Sequence, residues 1–531
     1  MNRLRGFIRT AAVLALLAAS PAFGQSIRRA EALTSANKAE RRTERAFDAA
    51  RENPLELRAF LFAMPKGADL HYHLTGGVYA ETWIRDAAED HLCVSVSKLS
   101  FEKPSFANCP VGDVSAAQTS HDQHLYDQLV DAFSMRAFVP STGTSGHDHF
   151  FDAFEHFGGV SGDHVGEWLD QIATRANNQN EQYLELMVTP DFPHATALAR
   201  ELGWHDGEDF NQVRHQLLDR GLRDDVAIAR SYMAQGLRDR AALEQCGTSD
   251  AQPACRVEIR FLYQVLRNNP PAQVFAQTLL GFEVVSADPN FVGINYVQPE
   301  DAFYSMRDYT LHMKMVGFFH GLYPKVHITL HAGELAPGLV PPGGLCCHIR
   351  LAVEVAHAER IGHGVDVMYE TNSYSLLREM ALKHVMVEIN LTSNDVILGI
   401  RGDQHPFPLY RKFGVPVALS TDDEGVSRID LTHEYQRAVE TYRLTYPELK
   451  NMARSSIEHS FLPGADLWFT EDKFQRPVAA CAAGALGSAN PSARCSAFLA
   501  ASDKARQEWE LERRLAAFAR AFSEAAPADR P

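Results

Sequence analysis

From Lys66 onward the chain alternates between short apolar runs and longer stretches whose apolar residues recur at helical spacing. The runs occupy 68–74, 183–189, 257–262, 279–285, 326–331, 360–365, 385–389 and 415–420. Short apolar runs separated by helical stretches have the pattern of strands buried on both faces. Such strands alternating with helices predict a parallel sheet. Eight is the number that closes a (β/α)8 TIM-like barrel, of fold class α/β. A doubly wound open sheet is the alternative, but neither GxGxxG nor GxxxxGK(S/T) follows any run.

The flanks and insertions break this alternation. Residues 25–63 are charged and Ala-rich, with Ala46, Ala49 and Ala50 at helical spacing, and predict an N-terminal helical arm. Residues 64–497 form the expected barrel domain, with a loop-rich insertion at about 93–150 after the first strand. Residues 196–255 read as helical and polar. Residues 498–531 supply a charged amphipathic C-terminal helix and a tail.

Ahead of the arm, Arg3, Arg5 and Arg9 precede an apolar stretch at 11–19, and Ala22-Phe23-Gly24 places small residues around a cleavage point. Residues 1–24 therefore read as a signal peptide, because the apolar stretch falls short of the ~20 residues that span a bilayer. The expected destination is exported, periplasmic or secreted; an uncleaved anchor is the alternative. The chain has 51 basic and 67 acidic residues, a net charge of −16, and losing the three arginines makes it −19. That balance speaks against a nucleic-acid polymer as partner and leaves a small nucleoside open. No later run is long and apolar enough to predict a membrane span. The eight cysteines fall in close pairs: Cys93 with Cys109, Cys246 with Cys255, Cys346 with Cys347, and Cys481 with Cys495. In an exported chain these read as disulfides, the vicinal pair being the hardest to form.

Candidate chemistry collects where the runs end. His71-Tyr72-His73 closes the first, and side chains two apart on a strand share a face, so both imidazoles can reach one metal. His331-Ala332-Gly333-Glu334, Arg360-Ile361-Gly362-His363-Gly364 and Ser420-Thr421-Asp422-Asp423 end later runs. Any one alone could be a satisfied core histidine or a helix cap. Four such sites at strand ends point to the catalytic rim of a barrel. A second HxH, His147-Asp148-His149, sits in a Gly/Ser/Thr-rich stretch and reads as surface. A cytidine-type deaminase is excluded because PCxxC is missing, and HExxH is absent too.

In order and spacing, the segment MPKGADLHYHLTG at 64–76, HAGE at 331–334, RIGHG at 360–364 and STDD at 420–423 resemble the motifs of the adenosine deaminase family, within the metal-dependent hydrolase superfamily. The signal peptide, arm and cysteine-bearing insertion resemble its secreted, growth-factor-related branch. The resemblance implies one zinc per chain held by His71, His73, His331 and Asp422, with water completing the set. It implies that His363 orients and deprotonates that water. Glu334 would protonate purine N1, and Asp423 would hydrogen-bond N7. Thr75 stands where cytosolic members carry an acidic ribose contact, and Ser286 aligns with the backbone donor to N3 at the end of strand four. The implied activity is hydrolytic deamination of adenosine or deoxyadenosine to the inosine product and ammonia. Another aminopurine, such as adenine or a modified adenine nucleoside, is an alternative substrate. A different hydrolase on the same barrel and a non-catalytic binding protein are alternative functions. Phe151, Phe154 and Phe157 resemble the family's apolar lid, with plain core packing as the other reading. The branch resemblance also implies a homodimer through the arm, against a monomer with the arm along its own barrel.

Exported material should begin near Gln25 and carry disulfides, Cys93–Cys109 and two other local pairs. Intact-mass spectrometry before and after reduction checks this, and eight free thiols would overturn the disulfide reading.

Overall fold

A computed structural model describes residues 38–104, 108–190 and 193–524. Eight parallel strands form its centre: β1 (Gly67–His73), β2 (Glu181–Val188), β3 (Glu258–Leu266), β4 (Phe291–Val297), β5 (His327–Ala332), β6 (Arg360–His363), β7 (Met386–Ile389) and β8 (Val417–Leu419). They pair in sequence order, with Tyr72 opposite Leu186, Leu184 opposite Ile259 and Thr329 opposite Arg360. Between β8 and β1 the barrel closes just past the end of β8. Asp422 bridges to Tyr72, the His73 N–H donates to the Asp422 carbonyl at 3.1 Å, and the Asp422 N–H donates to the His71 carbonyl at 2.9 Å. This seam makes a (β/α)8 barrel, as the run count implies.

Seven of the eight predicted runs overlap strands; 279–285 does not. It lies inside the helix Pro271–Ala287, and the fourth strand follows it at Phe291–Val297. The helix is buried on nearly every side, so its sequence shows no polar stripe and reads as a continuous apolar run. The true strand carries Gly293 and Asn295, which dilute its apolar character. Ser286 therefore sits near the end of an outer helix, away from the barrel mouth, and is not a candidate for substrate contact. The third strand also runs on to Leu266, past the predicted end at 262.

The helix over 38–50 turns Ala39, Thr43, Phe47 and Ala50 inward. Phe47 packs edge-on against Phe60 of the next helix, Pro54–Ala63, at 5.4 Å between ring centroids, and Phe60 meets Phe518 and Phe522 of the C-terminal helix Asp503–Glu524, each at 5.2 Å. Phe47, which a composition count overlooks, thus joins an aromatic knot with Phe60, Phe518, Phe522 and Tyr446. This removes the premise that so polar an arm finds nothing to bury against on its own chain. Residues 1–37, where the signal peptide and the start of the arm are expected, lie outside the described residues.

The 93–150 insertion builds a small antiparallel sheet from Cys93–Ser95, Ser100–Glu102 and Val114–Ser115, followed by the helices Gln123–Ala132 and Gly146–His156. All four predicted cysteine pairs are disulfides. Among the described residues, no helix is long and apolar enough to cross a membrane.

Phe60 is buried among four rings, so Phe60→Ala should cost about 3–5 kcal/mol, the range for emptying a large aromatic site. Urea denaturation should show an earlier midpoint. An unchanged midpoint would mean that the knot adds nothing to the barrel.

Candidate active site

The barrel seam sets the site. Since β1 pairs with the chain just after β8, the side chains of His71 and His73 meet the carboxylate of Asp422. Asp422 Oδ1 lies 3.3 Å from His71 Nε2 and 3.2 Å from His73 Nε2. From β5, His331 Nε2 comes within 3.1 Å of His71 Nε2 and 3.2 Å of His73 Nε2. All four residues are buried. Donors about 2.0–2.1 Å from a common zinc in a tetrahedron lie about 3.3 Å apart, the spacing seen here.

The other nitrogen of each ring is engaged. His71 Nδ1 donates to Glu388 at 2.6 Å, His73 Nδ1 to Gln264 Oε1 at 3.0 Å, and His331 Nδ1 to Asn295 Oδ1 at 2.7 Å. With those acceptors taking the Nδ1 protons, three Nε2 lone pairs face inward together with a carboxylate oxygen. Such groups repel one another unless a cation or protons lie between them. The crowding of these groups shows in their acidities. Against burial, Asp422 and Glu388 hold His71 up at about 10, while burial and the neighbouring imidazoles drive His331 far below its usual range. Three histidines and a carboxylate, each oriented from behind, suit zinc.

The rear supports explain several motif positions. Glu388 also accepts from Arg360 Nε at 2.6 Å and Thr329 Oγ1 at 2.9 Å, and Arg360 reaches Glu185 at 2.6 Å. Gly362 leaves room for the His71 ring, since a Cβ there would stand 2.4 Å from His71 Cε1. Gly76 does the same for Asp423, whose Oδ1 a Cβ would overlap at 1.5 Å. Ser393 donates to Asp422 Oδ2 at 2.6 Å. The sequence patterns missed Glu388, Gln264, Asn295 and Ser393. A lone carboxylate or amide inside an apolar run, as in Val387-Glu388-Ile389, was the available signal.

Beside the donor cluster, Glu334, His363 and Asp423 line the approach. Glu334 Oε1 lies 3.5 Å from His363 Nδ1. Glu334 Oε1, His363 Nε2 and Asp423 Oδ1 are buried with no hydrogen-bond partner in the protein. Burial, then Asp422 and Glu300, push the Glu334 carboxyl well above the usual range. Burial lifts Asp423 to about 7, with His73 opposing and Asp422 adding. Glu300 fixes the Glu334 loop by accepting from the N–H groups of Gly333 at 3.0 Å and Glu334 at 2.8 Å. His348, paired with Glu300, holds that carboxyl down at about 2 against burial.

A chain of hydrogen bonds assigns the His363 tautomer. The Phe407 N–H donates to His405 Nδ1 at 3.1 Å, so the neutral His405 ring carries its proton on Nε2. That proton goes to Asn394 Oδ1 at 3.0 Å, which turns the amide nitrogen of Asn394 onto His363 Nδ1 at 2.9 Å. His363 must then hold its proton on Nε2, aimed into the site. Burial brings both rings down to about 3, so they stay neutral.

These groups open on a cavity of about 410 Å³. Its apolar wall includes Phe150, Phe151, Phe154, Leu266, Val297 and Ile397, and its acids are Glu155, Glu334, Asp422 and Asp423. Thr75 and Gln298 also line it, Gln298 taking the strand-four end that Ser286 was expected to hold. Phe151 and Phe154 thus face the cavity, while Phe157 stacks on Trp83 in the core at 4.7 Å. His147 and His149 lie on the helix Gly146–His156 and turn to Asp301 and to backbone carbonyls, away from the donor cluster.

Known proteins fit this geometry. The family model described as adenosine deaminase matches residues 220–467. An adenosine deaminase of Clostridium perfringens is 25% identical over 315 residues, which cover 56% of this chain and 83% of that one. Among solved structures, the Arabidopsis N6-mAMP deaminase superposes with a TM-score of 0.50 at 19% identity, covering 76% of this chain and 96% of its own. A zinc-bound amidohydrolase from Burkholderia ambifaria gives 0.50 at 18% identity, over 77% and 88%. The solved structures share the fold, and the family-model match spans His331, Glu334, His363, Asp422 and Asp423. The sequence similarity of this chain is to the adenosine deaminase family, whose model matches its barrel from 220 to 467.

Proposed function

We propose that this protein is an exported, zinc-dependent deaminase of adenine nucleosides, adenosine or deoxyadenosine. The supporting observation is the cavity's lining: a buried, unpartnered carboxyl, a tautomer-fixed imidazole and a second carboxyl beside the four-donor cluster. His71, His73, His331 and Asp422 would hold the zinc, whose service is to bring a water's pKa toward neutrality. Export is supported by the four disulfides together with the pattern of residues 1–24.

The chain's own groups do the rest. Phe150, Phe151 and Phe154 cover a flat ring and exclude water. Glu334 gives its proton to N1, which draws electrons from C6. Water oxygen bonds to C6, one water proton returns to the Glu334 carboxylate and the other passes to N6, the C6–N6 bond breaks, and ammonia leaves with N1 keeping its proton. N7 is an acceptor, so Asp423 serves it in the protonated form that its raised pKa permits. His363 presents an Nε2 proton, so we assign it to hold the water oxygen by donation. The resemblance implies a base in this position, which would need that nitrogen's lone pair free. Asp422 Oδ2, 4.0 Å away, is the acceptor facing it.

The sugar side favours a nucleoside over a nucleotide. A 5′-phosphate calls for arginine or lysine, and among the described residues the lining holds four acids and no cation. Glu155, exposed at the mouth, can accept from ribose hydroxyls where Thr75 cannot replace a carboxylate.

Conversion followed by ultraviolet absorbance, with adenosine, deoxyadenosine, adenine, N6-methyladenosine and AMP, tests the reading. Adenosine or deoxyadenosine should show the highest kcat/KM and AMP a far lower one. Preference for AMP, or no turnover of any of them, would overturn it.

Glu334→Gln should keep its zinc and lose at least ~10²-fold in kcat, the lower range for acid–base catalysis. Near-normal turnover would make Glu334 structural. His71→Ala should lower the zinc content by about one per chain and abolish activity. Asn394→Asp offers His363 Nδ1 an acceptor and moves the proton off Nε2, so kcat should fall by ~10²-fold or more with zinc unchanged. An unaltered kcat would remove the tautomer argument.

A further inference from the structure

The opposite end of the barrel holds a second polar cavity, of about 330 Å³. It opens where strands begin, beside His327 of β5, Arg360 of β6 and His384, which precedes β7. Its roof is the segment after the helix Tyr446–Glu458, including Glu458, His459 and Glu471. The deaminase chemistry uses none of these groups except Arg360, which supports Glu388 from behind.

Two of these residues and the adjoining Asp472 come together. Glu458, His459 and Asp472 each offer a ligand atom, and these atoms lie within 4.8 Å of one another. His459 Nε2 is 2.9 Å from Asp472 Oδ1, and His384 Nδ1 is 2.6 Å from Asp472 Oδ2. Asp472 is placed by its own N–H, which donates to Glu458 Oε2 at 3.0 Å. The second oxygen, Glu458 Oε1, is buried and has no hydrogen-bond partner, although the residue is only 3% exposed. A buried carboxylate oxygen left unpaired is costly.

The electrostatics leave that oxygen uncompensated. The charged neighbours acting most on Glu458 are Asp472, Asp466 and Glu471, all negative, and with burial they raise its carboxyl to about 8. Lys504 is close, but its ammonium donates to the Glu458 backbone carbonyl at 2.8 Å and otherwise faces Asp466 at 3.5 Å. Arg360 donates to the His459 carbonyl at 3.0 Å and pairs with Glu185 and Glu388.

We propose that Glu458, His459 and Asp472, with His384 beside them, form a second cation site, on the barrel face away from the catalytic mouth, that takes a divalent transition ion such as zinc. Mixed imidazole and carboxylate donors suit that class of ion. A shift of a few tenths of an ångström opens the His459–Asp472 contact to the ~3.3 Å between donors of a tetrahedral zinc. The ion would tie the 458–472 segment to the start of β7 through His384. Its role is to fasten this face of the barrel, so the site should be separable from turnover.

The test uses the full chain, stripped with a chelator, re-equilibrated with zinc and desalted. Metal per chain is read by plasma mass spectrometry and the melting temperature by circular dichroism. Wild type should bind about two zinc ions and melt higher with zinc than without. Glu458→Gln, nearly isosteric and still able to accept from the Asp472 N–H, should bind about one ion. It should lose most of the part of the zinc-dependent melting shift that survives in His71→Ala. Its adenosine turnover should be unchanged. Because Asp472 also anchors its loop, Asp472→Asn is the second variant, accepted only if its zinc-free melting curve matches wild type. The proposal fails if wild type binds a single ion, or if Glu458→Gln still binds two.

Discussion

Four electron-pair donors cannot be packed face to face in a protein interior unless something positive lies between them. His71, His73, His331 and Asp422 are packed in this way, with approaches of 3.1–3.3 Å. Much of the structure around them holds that arrangement. The seam between β1 and the chain after β8 aligns two of the histidines with the aspartate through backbone hydrogen bonds that any side chains could make. Glu388, Gln264 and Asn295 then remove the alternative tautomers. The energy of folding the barrel is thereby spent on preorganising a cation site, so that little reorganisation is left for the moment of reaction.

The same economy governs the proton-handling groups. Burial and two neighbouring carboxylates raise the pKa of Glu334, and its loop is pinned by Glu300. His363 is kept neutral by burial and directed by His405 and Asn394. Proton positions are therefore set by hydrogen-bond chains that start on backbone N–H groups, Phe407 in one case and Gly333 with Glu334 in the other. The lining around the cavity is acidic, with Glu155, Glu334, Asp422 and Asp423 and, among the described residues, no arginine or lysine.

Much of this was legible in the sequence because barrel strands and catalytic motifs coincide. The HxH, HAGE, RIGHG and STDD segments each end an apolar run, so one pattern located both the strand and its cargo. Where the two signals part, the reading failed. The helix Pro271–Ala287 is buried on almost all sides and lost its amphipathic signature, which misplaced strand four and, with it, Ser286. The supports behind the metal ligands were invisible for another reason. Gln264 and Asn295 lie on strands whose extents were drawn too short or in the wrong place, and Glu388 sits within a correctly drawn strand as an unexplained charge. The arm was misjudged because a count of large apolar residues says little when Phe47 alone is enough to join a knot of rings from three other helices.

Anomalous diffraction from a crystal of the protein, measured on both sides of the zinc absorption edge, tests the central claim most directly. The account predicts a zinc peak at the barrel mouth, about 2.0–2.2 Å from His71 Nε2, His73 Nε2, His331 Nε2 and an Asp422 oxygen. A fully ordered mouth with these four groups in place and no edge-dependent peak between them, in crystals grown with zinc, would contradict it.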